Sequence, residues 1–183
     1  MPQFLQTQDG LSIAFQYLQG EPPVVVFLPG FFSHMQGTKA LWLEQKCRER
    51  GQAYLRFDYR GHGESGGRFE NGTISDWLED TLLVLDHVPE GPVTITRRLI
   101  EDGERHLLLN RERLDLDIPV RLIHGKKDAD IPWETSQALQ RKIGEERCEL
   151  ILVPDGEHRL SREQDLVLID RVVRDVLVRL GSI

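Results

Sequence analysis

The sequence predicts an α/β fold, with a mostly parallel sheet, helices on both faces and an antiparallel hairpin at the amino terminus. Three observations support this prediction. Two short strand-like segments flank the dipeptide Asp9-Gly10, strand-like and helical segments then alternate along the chain, and residues 24–28 are apolar at every position. Such alternation is typical of βαβ units, and continuous apolar strands are typical of a sheet that is covered on both faces.

The hairpin is predicted from residues 4–8 and 11–17, because Asp-Gly is a strong signal for a two-residue hairpin turn. The later elements, in chain order, are strand 24–28, helix 39–50, strand 54–57, helix 74–87, strand 93–96, helix 98–109, strand 120–124, helix 133–143, strand 150–153 and a helix from Ser161. Since strands and helices alternate, the helices are expected to join parallel strands by right-handed crossovers.

Capping residues mark the ends of several predicted helices. Thr73 with Asp76 three residues later approximates a capping box, and Gly51 ends the helix before it. Ser161 with Gln164 three residues later predicts the start of the last helix. That helix is expected to bury one apolar stripe, made of Leu166, Ile169, Val173, Val176 and Leu180.

Composition indicates one ordinary globular domain, residues 1–183. The chain is 39% hydrophobic and 29% charged, so it can bury one sizeable core. Its net charge of −7 offers no basic field for nucleic acid or acidic lipid, and neither partner is expected. No membrane span or export signal is visible, so the cytoplasm is the expected location. Cys47 and Cys148 lack CxxC spacing, which argues against a disulfide framework or a zinc site.

Two side chains suited to acid–base chemistry follow the last two predicted strands. Asp128 lies in the loop after strand 120–124, and His158 lies in the loop after strand 150–153. Catalytic groups gather at the carboxyl ends of parallel strands. An acid followed by a histidine is also the order of the last two members of a Ser–Asp–His triad. A nucleophilic serine should therefore lie upstream, on a turn from a strand to a helix.

Both candidates have alternative interpretations. Asp130 competes with Asp128 as the acid, and either residue could instead cap the helix at Trp133. His158 could be an ordinary surface histidine. His34 and His62 lie on loops of the same predicted face, but no pair of histidines has metal-ligand spacing. We therefore expect neither a metal site nor a cofactor.

The loop after strand 24–28 is a candidate oxyanion site. Gly30 would let the backbone approach a ligand, and the N–H of Phe31 could point at a developing oxyanion. The alternative is a simple Pro-Gly turn formed with Pro29.

The motif Gly-x-Ser-x-Gly occurs once, with Ser65 at its centre. A nucleophile elbow requires the strand to end at the first glycine and a helix to begin directly after the serine. Here the strand ends near Phe57 and the next helix begins only after Thr73. We therefore predict that Asp58, Arg60 and Ser65 hold a glycine-rich loop together by hydrogen bonds.

Four segments then occur in one order: residues 28–30, residues 57–65, residues 124–128 followed by 131–133, and residues 156–160. This combination resembles the α/β-hydrolase superfamily. With residues 32–41 it is similar to the mitochondrial palmitoyl-protein thioesterase branch and its bacterial homologues. The resemblance covers about residues 24–159. It implies hydrolysis of an acyl ester or thioester, with Asp128 as triad acid, His158 as base and the Phe31 N–H in the oxyanion hole.

The chain departs from that family between Glu90 and Arg97. The family has an apolar strand that runs into the serine elbow, followed by a helix, another strand and a cap. Here Val93 is followed by residues that resemble the family sequence beyond the cap. The chain therefore resembles two family segments joined near 93/94, with several dozen residues absent. The apolar faces left by such a deletion predict marginal stability or self-association.

Two functional classes follow. The first is a hydrolase-family chain that keeps the acid, the base and the oxyanion loop but lacks the nucleophile, and so at most binds a small acyl ester or thioester ligand or a partner. The second is an active serine hydrolase that uses Ser65 or another hydroxyl, such as Thr94 or Thr96. The missing serine elbow favours the first.

Overall fold

The computed structural model describes residues 1–88, 113–114, 116 and 118–180. They belong to two compact units, Met1–Ile100 and Glu101–Ile183, which are described separately. The predicted strand 93–96 and helix 98–109 lie outside the described residues, and so do Thr94 and Thr96. The prediction of a single domain with a deletion near 93/94 stays a prediction.

The first unit contains a four-stranded sheet. Its elements are β1 (Gln3–Gln6), β2 (Ser12–Leu18), β3 (Glu21–Phe27), α1 (Thr38–Arg50), β4 (Gln52–Phe57), a 3-10 turn (Phe69–Asn71) and α2 (Ile74–His87). The strand order is β1-β2-β4-β3. β1 pairs with β2, and β2 with β4, in antiparallel fashion, whereas β3 and β4 are parallel.

The amino-terminal hairpin is confirmed, but its loop is longer than the two residues that Asp9-Gly10 predicts. The ladder ends at the pair Gln6↔Ser12, so five residues form the loop. The Thr7 N–H donates to the Leu11 carbonyl at 2.9 Å, and Gly10 has a positive φ of 81°. The glycine thus supplies the left-handed residue that the turn needs.

β4 is buried at all six positions and separates two layers of helix. Its odd-numbered residues, Ala53, Leu55 and Phe57, join a core cluster that includes Val84 of α2. Its even-numbered residues face α1, because the Tyr54 hydroxyl donates to the Ala40 carbonyl at 2.9 Å and Arg56 pairs with Glu44. Neighbouring strand residues point to opposite faces, so the two helices cover opposite faces of this sheet. The predicted α/β class is confirmed.

The second unit is a βαβ unit followed by a helix. Its elements are β5 (Val120–Gly125), α3 (Glu134–Ile143), β6 (Cys148–Val153) and α4 (Glu163–Arg179). β5 and β6 are parallel and in register from Val120↔Cys148 to Gly125↔Val153. Leu114, Ile143 and Cys148 form its small core cluster.

The predicted start of the last helix is wrong by two residues. α4 begins at Glu163 after Arg162, whose guanidinium binds the Asp165 carboxylate at 2.8 Å, while that carboxylate accepts the Arg162 N–H at 3.2 Å. A charged pair thus replaces the cap predicted at Ser161. Leu177 is buried in place of Leu180, because the helix ends at Arg179. The capping box of Thr73 and Asp76 is confirmed.

None of the helices in the described parts of the chain is long and apolar enough to cross a membrane.

Candidate active site

A close approach of two glycines brings the loops after β5 and β6 together. A Cβ on Gly125 would lie 2.3 Å from the Gly156 carbonyl oxygen, so only a residue without a side chain fits there. The backbone ladder continues past the strands, since Lys126 N–H donates to the Val153 carbonyl and Lys127 N–H to the Gly156 carbonyl. The loops that carry Asp128 and His158 therefore leave the sheet side by side.

Asp128 and His158 are in direct contact. The Asp128 Oδ2 atom lies 2.9 Å from His158 Nδ1, whereas the nearest carboxylate oxygen of Asp130 lies 3.8 Å away. The Asp128 side chain is only 6% exposed, but that of Asp130 is 71% exposed. The geometry therefore favours Asp128 as the partner of His158.

Backbone donors fix the second oxygen of Asp128. Its Oδ1 atom accepts the N–H groups of Asp130 and Ile131, each at 2.9 Å. Burial alone would raise the pKa of Asp128, but the hydrogen bonds from the Ile131 N–H, the His158 ring and the Asp130 N–H lower that pKa to about 2. The carboxylate is thus ionised at neutral pH and accepts the proton on His158 Nδ1. In the neutral ring, His158 Nε2 then carries the free lone pair of a general base.

A second histidine, which the sequence analysis did not single out, also touches Asp128. His124 Nε2 lies 3.3 Å from Asp128 Oδ2 and 3.1 Å from the Ile131 carbonyl. Both neighbours are acceptors, so Nε2 carries the proton and Nδ1 accepts the Ser136 hydroxyl at 2.7 Å. His124 therefore tethers the carboxylate to α3. The sequence signal that could have pointed to His124 is its position at the end of the strand that precedes Asp128.

Ser65 does not have the environment of a nucleophile. Its hydroxyl donates to the Asp58 carbonyl at 2.6 Å and accepts the Ala14 N–H at 2.8 Å. The hydroxyl thus joins the glycine-rich loop to β2, as the structural interpretation of this motif predicts.

Asp58 and Arg60 organise the same loop. The buried Asp58 carboxylate accepts the N–H groups of Met35 at 2.6 Å and Glu64 at 2.9 Å. Arg60 binds the fully buried Asp80 through its backbone N–H at 2.7 Å and its guanidinium at 2.9 Å. These bonds give the polar side chains of the motif a structural role.

The candidate oxyanion loop follows β3 as a tight turn. The Ser33 N–H donates to the Gly30 carbonyl at 2.9 Å, and Phe32 has a positive φ of 55°. Within the described parts of the chain, the Phe31 N–H makes no hydrogen bond, and a Cβ on Gly30 would meet no atom within 4 Å. A donor without a partner beside open space is what an oxyanion site requires. The role of Gly30 and Phe31 stays a prediction.

Asp128, Asp130 and His158 can each place one potential metal ligand within 4.8 Å of the others. Spacing along the sequence does not suggest this group. The oxygens of Asp128, however, are already engaged by two backbone N–H groups and His158. The arrangement is therefore better suited to orienting an imidazole than to binding a cation.

No protein-family model matches the chain. The bovine mitochondrial palmitoyl-protein thioesterase ABHD10 is 27% identical over an alignment of 249 positions that covers 98% of this chain and 81% of the relative. The human protein of that name is 26% identical over the same coverage of this chain.

Solved structures agree with these relatives. Mouse alpha/beta hydrolase domain-containing protein 10 superposes with a TM-score of 0.86 and 26% identity, covering 98% of this chain and 99% of that chain. A hydrolase from Agrobacterium vitis S4 gives a TM-score of 0.81 and 26% identity, with 96% and 98% covered. The chain therefore has an α/β-hydrolase fold and is similar in sequence and structure to the ABHD10 palmitoyl-protein thioesterases.

Proposed function

We propose that this chain is an acyl ester or thioester hydrolase scaffold that does not turn over substrate. It keeps the triad acid Asp128, the base His158 and the oxyanion loop at Gly30 and Phe31, but it has no nucleophile. The observation that carries the proposal is the state of His158. Its Nδ1 atom is held by Asp128, yet no described serine of its own unit hydrogen-bonds to its Nε2 atom, and the Ser65 hydroxyl is bound to backbone groups of the first unit. A base without a nucleophile cannot start acyl transfer.

The length of the alignments supports a missing segment. The bovine relative aligns over 249 positions, more than the 183 residues of this whole chain, so the relative has residues without a counterpart here. The sequence places that loss near 93/94, where the family has its serine elbow. The retained acid and base lie beyond this point, which explains why their contact survives.

The competing function is an active serine hydrolase that uses Ser65 or another hydroxyl. Ser65 is a poor candidate, because both the donor and an acceptor position of its hydroxyl are taken by the backbone. Activating it would break two hydrogen bonds that hold the glycine-rich loop.

A fluorophosphonate probe separates these functions, because it reacts with activated serine hydroxyls. We expect intact-mass analysis to show an unmodified chain, and p-nitrophenyl butyrate to be hydrolysed no faster by the native chain than by His158→Ala. Stoichiometric labelling, mapped by peptide analysis to Ser65 or another hydroxyl and lost in His158→Ala, would establish the active hydrolase.

We further propose that the chain associates with itself through the surfaces left open by the deletion. β3 pairs only with β4 among the described strands, and Phe31 and Phe32 beside it are largely exposed. An open strand edge next to exposed aromatic side chains favours association. Sedimentation velocity from about 5 to 100 µM should show a rising weight-average mass, and a constant monomer mass would contradict this proposal.

A further inference from the structure

The first unit contains an aromatic cavity beside the candidate oxyanion loop, whose Gly30 and Phe31 are among its lining residues. The cavity has a volume of about 350 Å³ and lies between the loop after β3, the loop after β4 and the first turns of α2. The residues that matter here are Phe31, Tyr59, His62, Ile74, Trp77 and Leu78. Phe31 and Ile74 are each 71% exposed, so the cavity opens to solvent.

Aromatic rings form one wall of the cavity. The Phe31 ring meets the Phe69 ring edge-on at 5.0 Å and the Trp77 ring at 6.0 Å, while Phe69 stacks on Trp77 at 5.8 Å. No Asp, Glu, Lys or Arg side chain is among its described lining residues. A wall of this kind selects a neutral ligand with an aromatic ring, because such rings gain from edge-on and offset contacts.

His62 supplies an unmet hydrogen-bonding group in this cavity. The residue is only 6% exposed, and its Nδ1 atom lies 3.2 Å from the Arg60 carbonyl, to which it can only donate. In the neutral ring, Nε2 is therefore an acceptor. That atom is buried and has no partner in the described part of the molecule. A buried acceptor without a donor is costly, so a ligand that supplies the donor gains affinity.

We propose that the aromatic cavity binds phenols: neutral compounds whose ring lies against Phe31 and Trp77 and whose hydroxyl donates to His62 Nε2. The rings around the imidazole are those of Tyr59, Phe69 and Trp77, at 5.0–5.9 Å. Phe69 lies on the 3-10 turn, which has no buried residue, and the proposal requires its ring to move aside so that the hydroxyl reaches Nε2. All of these residues precede the deletion, and binding requires neither Asp128 nor His158.

Three probes without an acyl bond test this proposal independently of hydrolysis. They are 4-propylphenol, 4-propylanisole, which lacks the donor, and 4-propylcyclohexanol, which lacks the aromatic ring. In calorimetric titrations of the native chain, the phenol should bind about 5- to 10-fold more tightly than the anisole, the worth of one hydrogen bond. The cyclohexanol should also bind more weakly than the phenol, because it cannot make aromatic contacts.

Variants assign the effect to the cavity. His62→Phe keeps a ring but removes Nε2, so it should bind the phenol and the anisole with affinities within about 2-fold of each other. Ile74→Asp, at an exposed position of the lining, should weaken the phenol about 10-fold or more, whereas Leu41→Asp, an exposed control on α1, should not. If His62→Phe does not fold, the comparison of Ile74→Asp with Leu41→Asp decides whether the phenol binds in the cavity.

Four results would overturn the proposal. They are no phenol binding, equal native affinities for phenol and anisole, a preference for the phenol that persists in folded His62→Phe, and equal effects of the two aspartates.

Discussion

At the scale of single residues, Asp128 determines the geometry of the acid–base pair. One oxygen accepts two backbone N–H groups, and the other faces both His158 and His124. The backbone donors fix the carboxylate before any ligand arrives, so the orientation of His158 does not depend on a nucleophile. The Asp128–His158 contact is therefore compatible with the proposed absence of a nucleophile.

The same hydrogen bonds predict how stability depends on pH. The pKa of Asp128 in the folded chain is about 2, below the ordinary value of 3.8 for an aspartate, so its ionised form stabilises the fold above about pH 4. This stabilisation is lost as the pH falls from about 4 towards 2. We expect Asp128→Asn to lower the free energy of unfolding in urea by about 1–2 kcal/mol at pH 6, after allowance for solvent screening. The difference should disappear near pH 2, and a constant difference would contradict the assignment.

Ser65 offers a test in which structure and catalysis predict different results. Ser65→Ala leaves the Asp58 carbonyl and the Ala14 N–H without their present partner, which should cost about 1–3 kcal/mol of stability in urea denaturation. Ser75→Ala, at an exposed position in the first turn of α2, is the control and should change stability by less than about 0.5 kcal/mol. If Ser65→Ala is as stable as the native chain but loses an ester-hydrolysing activity, Ser65 is a nucleophile.

The sequence pointed to Asp128 and His158 because each residue follows a predicted strand. The family motifs around them favoured Asp128 over Asp130 as the acid. The sequence disfavoured Ser65, which stayed open as the alternative nucleophile, because the flanking strand and helix lie too far from it. His124 was missed for a physical reason. Its importance comes from a ring that reaches Asp128 on one side and Ser136, twelve residues later on α3, on the other. The unmet Nε2 of His62 likewise depends on packing, which composition and spacing do not encode.

At the scale of elements, types were easier to predict than ends. The apolar strand before Asp128 and the alternating helices gave the parallel βαβ unit, because period and length distinguish strands from helices. The hairpin loop is longer than Asp9-Gly10 suggests, since Thr7 satisfies the Leu11 backbone with both its N–H and its side chain. Local side-chain bonds thus override the strongest turn signal.

The contact between the loops after β5 and β6 depends on Gly125. Gly125→Ala would place a Cβ 2.3 Å from the Gly156 carbonyl oxygen, and backbone must move to accept it. We expect a loss of about 1–3 kcal/mol in urea denaturation, as for other overpacked sites. Gly30→Ala is the matched control, because its Cβ meets nothing within 4 Å, and it should cost less than about 0.5 kcal/mol. Equal costs for the two alanines would show that the close approach is not what holds these loops.

At the scale of the whole molecule, the candidate oxyanion loop and the acid–base pair lie in different units. The first unit keeps the hairpin, the mixed sheet and the candidate oxyanion loop, and the second keeps the acid and the base. The sequence predicted a single domain over residues 1–183 and did not indicate two compact units, although the family motifs on either side of 93/94 are intact. It could not give the register of β3 or the aromatic cavity, since both depend on which neighbours the remaining strands find.

Restoring the missing segment should therefore restore activity. Insertion after Val93 of a family-type strand end, a Gly-x-Ser-x-Gly turn, a helix and the following strand should yield hydrolysis of short acyl esters or thioesters, because the acid and base are already in contact. In that variant, His158→Ala should abolish turnover, since the serine is weak without its base. Asp128→Asn should lower turnover by roughly 10⁴, as the same change does in other Ser–His–Asp triads, because the imidazole would adopt the wrong tautomer. The measurement is p-nitrophenyl butyrate hydrolysis by the soluble, folded insertion variant beside an insertion that carries Ala at the serine. A folded variant without activity, or one that keeps its activity in His158→Ala, would show that Asp128 and His158 are not a retained catalytic pair.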